Sequence, residues 1–151
     1  MRRIIFLCHG NICRSPAAKW IAIDYVKKHG LSDEYEIESR ACSSEEIGND
    51  IYPPMKAALR RAGIPFGPHS AERLTERDYA KADAIYYMDE SNLRHLSYWF
   101  ADTKRIFKPL CEGMRFREIE DPWYTGNFDL VVEEIRACIE KIFEDYEKKT
   151  D

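Results

Sequence analysis

The chain has 151 residues, of which 44% are hydrophobic and 33% charged, and this composition is that of one globular domain spanning residues 1–151. Its net charge of −4 argues against nucleic acid as a constitutive partner, because binding to a phosphate backbone usually needs a basic face. No apolar run approaches the roughly 18 residues of a membrane-spanning helix, so no membrane partner is predicted.

Strands and helices alternate along the first half of the chain. The sequence predicts, in order, a buried strand at Arg3–Leu7, a helix from Ser15 to about His29, a strand at Tyr35–Ser39, a turn-rich loop from Cys42 to Pro54 and a helix at Met55–Ala62. Pro16 in the first turn and Gly30 just beyond the end bound the first helix.

The second half continues the alternation. It predicts a short helix at Thr75–Ala82, a strand at Ala84–Met88, a helix at Asn92–Phe100, a short strand at Arg105–Phe107 and a long amphipathic helix at Phe128–Tyr146. This order predicts an α/β fold, a single-domain three-layer sandwich whose four-stranded, mostly parallel sheet carries helices on both faces. Ligands of such sheets bind beyond the carboxyl ends of the strands, where Cys8 stands.

The segment after the first strand is the most informative one, and it reads Cys8-His9-Gly10-Asn11-Ile12-Cys13-Arg14-Ser15-Pro16. A cysteine six positions before an arginine is weak evidence by itself. Here the pair lies between a buried strand and the start of a helix, where free backbone N–H groups and the helix dipole attract anions. The same features and Arg14 favour a thiolate at Cys8, and the planar guanidinium can bind two phosphoryl oxygens. The loop therefore predicts a phosphate site beside a nucleophile.

The loop resembles the signature of the low-molecular-weight protein tyrosine phosphatases. The resemblance spans nearly the whole chain, since it includes Met88-Asp89-Glu90-Ser91-Asn92-Leu93 and Asp121-Pro122-Trp123-Tyr124. It implies hydrolysis of phosphotyrosine in a protein or peptide through a cysteinyl-phosphate intermediate, with inorganic phosphate as product. It implies neither a metal nor a cofactor.

The resemblance assigns roles to individual residues. The implied catalytic residues are Cys8 as nucleophile, Arg14 as phosphate ligand and Asp121 as general acid and base. The implied phosphate and substrate contacts are His9, Gly10, Asn11, Ile12, Cys13, Ser15, Ile47, Trp123 and Tyr124. Ser39 and His69 are implied to support the loop. Asp89 resembles a further supporting acid, and it is equally a candidate N-cap of the next helix.

Two features depart from the family pattern. Ile47 takes the place of an aromatic residue that faces Trp123, with Glu45 and Glu46 adding negative charge at the rim. The segment His69-Ser70-Ala71-Glu72-Arg73 carries its arginine one position later than the family does.

Other functions are open alternatives. Phosphoarginine phosphatases resemble this family but carry a threonine where this chain has Ile12, whose apolar side chain favours an aryl group. An arsenate reductase would need a further pair of closely spaced cysteines, and a pure phosphotyrosine-binding module would lack Cys8 or Asp121. A metal site made of Cys8, His9 and Cys13 would have too few well-spaced ligands.

The five cysteines indicate the redox environment. They are odd in number and lack paired spacing, which favours reduced thiols in the cytoplasm. The apolar run Ile4–Cys8 is shorter than the roughly 7–15 residues of a signal-peptide core. Cys8 and Cys13 share one loop, and a reversible disulfide between them would protect the nucleophile from over-oxidation.

Overall fold

Four parallel strands form one sheet in the computed structural model, which describes residues 1–149. The strands are β1 (Arg2–Cys8), β2 (Tyr35–Ala41), β3 (Ala84–Tyr87) and β4 (Phe107–Pro109), and they lie in the order β2-β1-β3-β4. The helices are α1 (Arg14–Lys28), α2 (Pro53–Arg61), α3 (Glu76–Lys81), α4 (Glu90–Trp99), α5 (Pro122–Thr125) and α6 (Phe128–Lys149). Every strand pair is parallel, so the sheet is wholly rather than mostly parallel.

β1 is central and buried on both faces. Ile4 and Phe6 point to a core shared with α1, α2 and α6, whereas Ile5 and Leu7 point to a smaller core beside α3 and α4. All four side chains have 0% exposure. Because neighbouring side chains of a strand point to opposite faces, the continuous apolar run is what a strand with helices on both sides requires. This arrangement confirms the predicted three-layer α/β sandwich.

β4 begins two residues later than predicted. Arg105 has a φ of +56°, a left-handed backbone conformation that cannot belong to a strand. Asp102 accepts hydrogen bonds from the amides of Ile106 and Phe107, at 3.1 and 3.0 Å, and so holds the turn that precedes the strand. The strand ends at Pro109, which is tolerated because β4 is an edge strand.

The sequence prediction missed α5. Pro122 stands at its first position, and Gly126 ends it with a φ of +77°. The other elements agree with their predicted boundaries within three residues. Among the described residues, no helix combines the length and the apolar character needed to cross a membrane.

Candidate active site

The loop between β1 and α1 has a backbone that its sequence explains. Asn11 has a φ of +61°, and asparagine is one of the few residues that adopt this conformation readily. At Gly10 an added Cβ would lie 3.1 Å from the Cγ of Glu46, so glycine allows the Glu46 side chain to pass closely over the loop. The chain thus turns sharply between Cys8, the last residue of β1, and Arg14, the first residue of α1.

The Cys8 thiol is buried and faces Ser15. Its sulfur lies 3.1 Å from Ser15 Oγ and 3.4 Å from the Ser15 backbone N, which donates to it. Asn11 Nδ2 donates to the same Ser15 Oγ at 2.7 Å, so this oxygen accepts one hydrogen bond, and its own hydrogen faces two acceptors, the sulfur at 3.1 Å and the Arg40 carbonyl at 3.4 Å. Two donors therefore converge on Cys8 Sγ, an arrangement that stabilises a thiolate.

The loop offers further donors to an anion. Within the described residues, the backbone N–H groups of Gly10, Asn11, Ile12 and Cys13 donate to no protein acceptor. The start of α1 has no side-chain cap, so its dipole is not offset by a capping side chain. These free amides and the helix start make the loop an anion-binding cradle.

Arg14 closes the loop and is held from behind. Its Nη1 donates to Asp89 Oδ2 at 2.6 Å and to the Ile119 carbonyl at 2.8 Å, and its Nη2 lies 3.5 Å from Asp121 Oδ2. Burial opposes the charged form, but the charges of Cys8, Asp89 and Asp121 outweigh this effect and raise the pKa of Arg14. A cation fixed at this place is suited to the oxygens of a phosphoryl group.

Asp89 fills both roles that the sequence left open. Its Oδ2 accepts from Arg14, and its Oδ1 accepts from the backbone N of Asn92 at 2.9 Å, as an N-cap of α4 does. The Asn92 side chain in turn accepts from the Asp89 amide at 3.3 Å, which completes a capping box.

Asp121 lies at the mouth of the cradle as the N-cap of α5. Its Oδ1 accepts from the Trp123 amide at 3.1 Å, while its Oδ2 faces Arg14. The side chain is 28% exposed, so the carboxyl group is in contact with both solvent and the site. Pro122 restricts the backbone of Asp121 to an extended conformation, and its φ and ψ are −83° and 109°.

Asn11 is the centre of a polar network behind the loop. It donates to Ser39 Oγ at 3.0 Å, and its side-chain oxygen accepts from the Glu72 amide at 3.1 Å. His69 Nε2 lies 2.6 Å from the Asn11 carbonyl and must carry the proton of that bond, because a carbonyl only accepts. Burial lowers the pKa of His69 and favours its neutral form. At position 72, where the family carries its arginine, only the backbone amide takes part in the network. Glutamate at this position therefore leaves the network intact.

A cavity of 160 Å³ opens above the loop. The residues that line it are Cys8, His9, Gly10, Ile12, Cys13, Arg14, Glu45, Glu46, Asp121, Trp123 and Tyr124. The Trp123 ring packs on Tyr52 with centroids 4.6 Å apart, and the Tyr52 amide donates to the Ile12 carbonyl at 2.9 Å. One aromatic wall is therefore tied to the cradle itself.

Ile47 does not reach this cavity. It is absent from the cavity lining, and its side chain is 58% exposed. The loop after β2 instead presents Glu45 and Glu46, and Asn49 Nδ2 holds the Glu46 carboxylate at 2.6 Å. The cavity lining therefore includes two acidic residues, whereas Ile47, which the sequence assigned to the pocket, is not among the lining residues.

Two further cysteines lie close to Cys8. Burial, reinforced by the charge of Cys8, raises the pKa of the Cys13 thiol and raises the pKa of Cys42 to about 12. Both groups stay protonated near neutral pH, and neither sulfur has the pair of Ser15 donors that Cys8 has. Cys8 is accordingly the best-placed nucleophile of the three.

Phosphoryl transfer through a cysteine requires a thiol at the base of an anion-binding loop, and the Cys8 loop has this arrangement. Residues 3–151 match the family model for low molecular weight phosphotyrosine protein phosphatase. The chain belongs to this family.

Two curated relatives illustrate the match. The low molecular weight protein-tyrosine-phosphatase YfkJ of Bacillus subtilis is 33% identical over 153 residues, covering 99% of this chain and 98% of the relative. The human low molecular weight phosphotyrosine protein phosphatase is 33% identical over 145 residues, covering 91% of each.

Solved structures agree with the fold. The crystal structure of YfkJ superimposes with a TM-score of 0.93 at 31% identity, covering all of this chain and 98% of that one. A structure described as a Drosophila arginine phosphatase superimposes with a TM-score of 0.86 at 26% identity, covering 97% of this chain and 98% of that one. The protein is an enzyme of this family, and its fold also occurs in a protein described as an arginine phosphatase.

The sequence prediction did not assign Tyr52 to the site, and it placed Glu46 at the rim of the pocket rather than in its lining. Tyr52 lies just before Pro53-Pro54, and nothing in that pattern indicates contact with an aromatic residue far along the chain. The acidic pair Glu45-Glu46 was recognised as a source of rim charge, but this pair rather than Ile47 lines the cavity.

Proposed function

We propose that this protein hydrolyses phosphotyrosine in proteins or peptides, with Cys8 as nucleophile, Arg14 as phosphate ligand and Asp121 as general acid and base. The observation that carries the proposal is the environment of Cys8 Sγ, on which the Ser15 hydroxyl and amide converge at 3.1 and 3.4 Å at the base of the cradle.

The first step transfers the phosphoryl group to the enzyme. The Cys8 thiolate attacks phosphorus, the S–P bond forms, and the bond from phosphorus to the tyrosyl oxygen breaks. Arg14 and the free amides of the loop hold the equatorial oxygens, and Asp121 gives its proton to the departing phenolate. The location of Asp121 in the cavity lining, beside Arg14, supports this role.

The second step releases phosphate. Asp121, now ionised, takes a proton from a water molecule that attacks phosphorus, and the S–P bond breaks. The Ser15 hydroxyl stabilises the departing thiolate, because the sulfur is the nearer of the two acceptors that face its hydrogen. Inorganic phosphate leaves and Cys8 returns to the thiolate.

The walls of the cavity support an aryl substrate. Ile12 provides an apolar surface next to the cradle, and Trp123 and Tyr124 provide exposed aromatic faces. Flat rings stack on such faces, and Tyr52 supports Trp123 from behind.

Phosphoarginine is the second candidate substrate, and the acidic pair in the cavity lining is the observation that favours it. Glu45 and Glu46 line the cavity, and their carboxylates would attract a guanidinium group, whereas an aryl ring has no positive charge to pair with them. We rank it below phosphotyrosine because Ile12 and Trp123 present apolar surface to the part of the substrate next to phosphorus.

The deciding experiment measures kcat/KM of the purified protein on two peptides of one sequence, one with phosphotyrosine and one with phosphoarginine. We expect the larger value for phosphotyrosine, unchanged by a chelator, and no phosphate release by Cys8→Ser. A larger value for phosphoarginine would reverse the ranking of substrates. Turnover retained by Cys8→Ser would refute the mechanism. In a parallel assay with arsenate as the substrate, reduction of arsenate would indicate a reductase.

We further infer a cytoplasmic location. All five cysteines are free thiols in the described structure, and free thiols are typical of a reducing compartment.

A further inference from the structure

Three side chains from distant parts of the chain meet at the edge of the phosphate cavity. His9 follows β1, Cys42 follows β2, and His95 lies on α4, which follows β3. Because these three strands are parallel neighbours, the segments that leave their carboxyl ends converge. One ring nitrogen of each histidine and the Cys42 sulfur all lie within 4.8 Å of one another.

The chemistry of this group is that of a metal site. Imidazole nitrogen and thiolate sulfur are the preferred ligands of Zn²⁺, and three protein ligands that mix histidine with cysteine occur in zinc sites that keep a fourth position open. A tetrahedral Zn²⁺ ion needs ligand atoms roughly 3.3–3.8 Å apart, given bonds of about 2.0–2.3 Å. The three ligand atoms, which lie within 4.8 Å of one another, would have to approach by at most about 1–1.5 Å to reach this range, and the two histidines are partly exposed.

The backbone already holds two of the three ligands together. The Cys42 amide donates to the Cys8 carbonyl at 3.0 Å, and the Ser43 amide and hydroxyl donate to the His9 carbonyl at 3.1 and 2.9 Å. These bonds fix the segment after β2 against the phosphate loop. Little conformational entropy is therefore lost when Cys42 and His9 bind one ion.

The third ligand, His95, and a carboxylate next to His9 are also held in place by neighbouring residues. The rings of His9 and His95 meet edge to face with centroids 5.2 Å apart, and buried Leu96 anchors α4 next to His95. Glu45 Oε2 lies 3.1 Å from His9 Nε2, an outer carboxylate that orients a ligating imidazole and leaves Nδ1 as its free nitrogen.

We propose that His9, Cys42 and His95 form a binding site for a thiophilic divalent cation of the Zn²⁺ class. The site goes beyond the phosphatase reaction proposed above, which uses no metal. It adjoins the reaction site all the same, because His9 lines the phosphate cavity. Binding releases the proton of the Cys42 thiol, so the affinity for the ion rises with pH.

The test uses Co²⁺ as a spectroscopic substitute for Zn²⁺ in Cys8→Ser protein, because the Cys8 thiolate would itself bind the metal. We expect one Co²⁺ per chain, with a thiolate-to-cobalt charge-transfer band in the near ultraviolet and the strong visible bands of a tetrahedral ion. Zn²⁺ should displace Co²⁺ and remove both sets of bands.

Variants in the same Cys8→Ser background assign the ligands. Cys42→Ser should lose the charge-transfer band, and His95→Ala should weaken Co²⁺ binding at least tenfold. His29→Ala, a surface histidine at the end of α1, is the matched control and should bind as before. Thermal unfolding of each variant establishes that it is folded.

Three results would overturn the proposal. They are the absence of a charge-transfer band at saturating Co²⁺, its persistence in Cys42→Ser, and unchanged affinity in His95→Ala. With Cys8 intact and a chelator present, His95→Ala should hydrolyse p-nitrophenyl phosphate at the unaltered rate. Failure of the metal site would thus be distinguished from failure of the phosphatase mechanism.

Discussion

Arg14 and Asp89 are joined by a 2.6 Å contact that ties the phosphate loop to the start of α4. The Arg14 side chain is only 3% exposed, so its guanidinium has few alternative partners. The other oxygen of Asp89 caps α4, which fixes the carboxylate itself. Asp89 therefore sets the orientation of the group proposed to bind phosphate without touching the substrate.

Asp89→Asn tests this positioning role. Asparagine can still cap α4, but it removes the charge that faces buried Arg14, and we expect the free energy of unfolding to fall by about 1.5–3 kcal/mol. Misplacement of the guanidinium should lower kcat/KM roughly 10- to 100-fold. Urea unfolding and steady-state kinetics measure the two effects. Glu90→Gln, a neighbouring exposed acid, is the control, and equal behaviour of the two variants would contradict the assignment.

Asp121→Asn tests the general acid. The amide can still accept from the Trp123 amide but cannot act as a general acid, so kcat/KM, which covers the first phosphoryl transfer, should fall about 10²- to 10⁴-fold on phenyl phosphate. The loss in kcat/KM should be much smaller for an aryl phosphate whose phenol is strongly acidic, because such a leaving group needs no proton. A loss in kcat/KM that is the same for every leaving group would contradict the role. Glu120→Gln is the adjacent control.

Glu46→Gln tests the acidic pair in the cavity lining. A carboxylate in the cavity lining repels the substrate dianion, and its removal should lower KM for an aryl phosphate up to about fivefold, from roughly 1 kcal/mol of screened repulsion. The difference from wild type should shrink as salt is added. Ile47→Trp should leave KM unchanged, because this side chain lies outside the cavity lining. A lower KM in Ile47→Trp with none in Glu46→Gln would place Ile47 in the cavity lining after all.

His69 makes stability depend on pH. Because its pKa is lowered in the folded protein, the unfolded chain binds the proton more readily, and protonation favours unfolding. The stabilisation is complete above the unfolded value near pH 6.5 and is lost as pH falls through the lower folded value. Urea unfolding between pH 5 and 8 should show this loss in wild type and less of it in His69→Gln. His29→Gln should retain the wild-type dependence.

Cys13 is predicted to protect Cys8 from irreversible oxidation. Peroxide would convert the Cys8 thiolate to a sulfenic acid, and the Cys13 thiol would attack its sulfur, forming the disulfide and releasing water. Mass spectrometry after peroxide should find a Cys8–Cys13 disulfide whose reduction restores turnover, whereas Cys13→Ser should accumulate sulfinic acid at Cys8. Sulfinic acid at Cys8 of the wild type, with Cys13 free, would argue against this protection.

Local patterns were enough to predict most of the fold. Short segments carry their own backbone and burial preferences, and these were sufficient to predict three features: the strand at Arg3–Leu7, the long helix at Phe128–Tyr146 and the start of α1 at the phosphate loop. β4 was misplaced because Arg105 adopts a left-handed conformation that Asp102 supports from a nearby turn. No local pattern indicates such a residue, since arginine rarely adopts that conformation.

A thiol, free amides and an arginine in one loop could be predicted from the sequence, because Cys8 to Ser15 are contiguous and lie between a strand and a helix. The groups that surround this loop could not be predicted, because they come from distant segments. Asp89 reaches Arg14, Glu46 passes over Gly10, and His95 approaches Cys42 because parallel strands bring the ends of distant segments to one edge of the sheet. The spacing of residues along the chain does not predict these contacts, since they depend on strand order and on the path of each connecting loop.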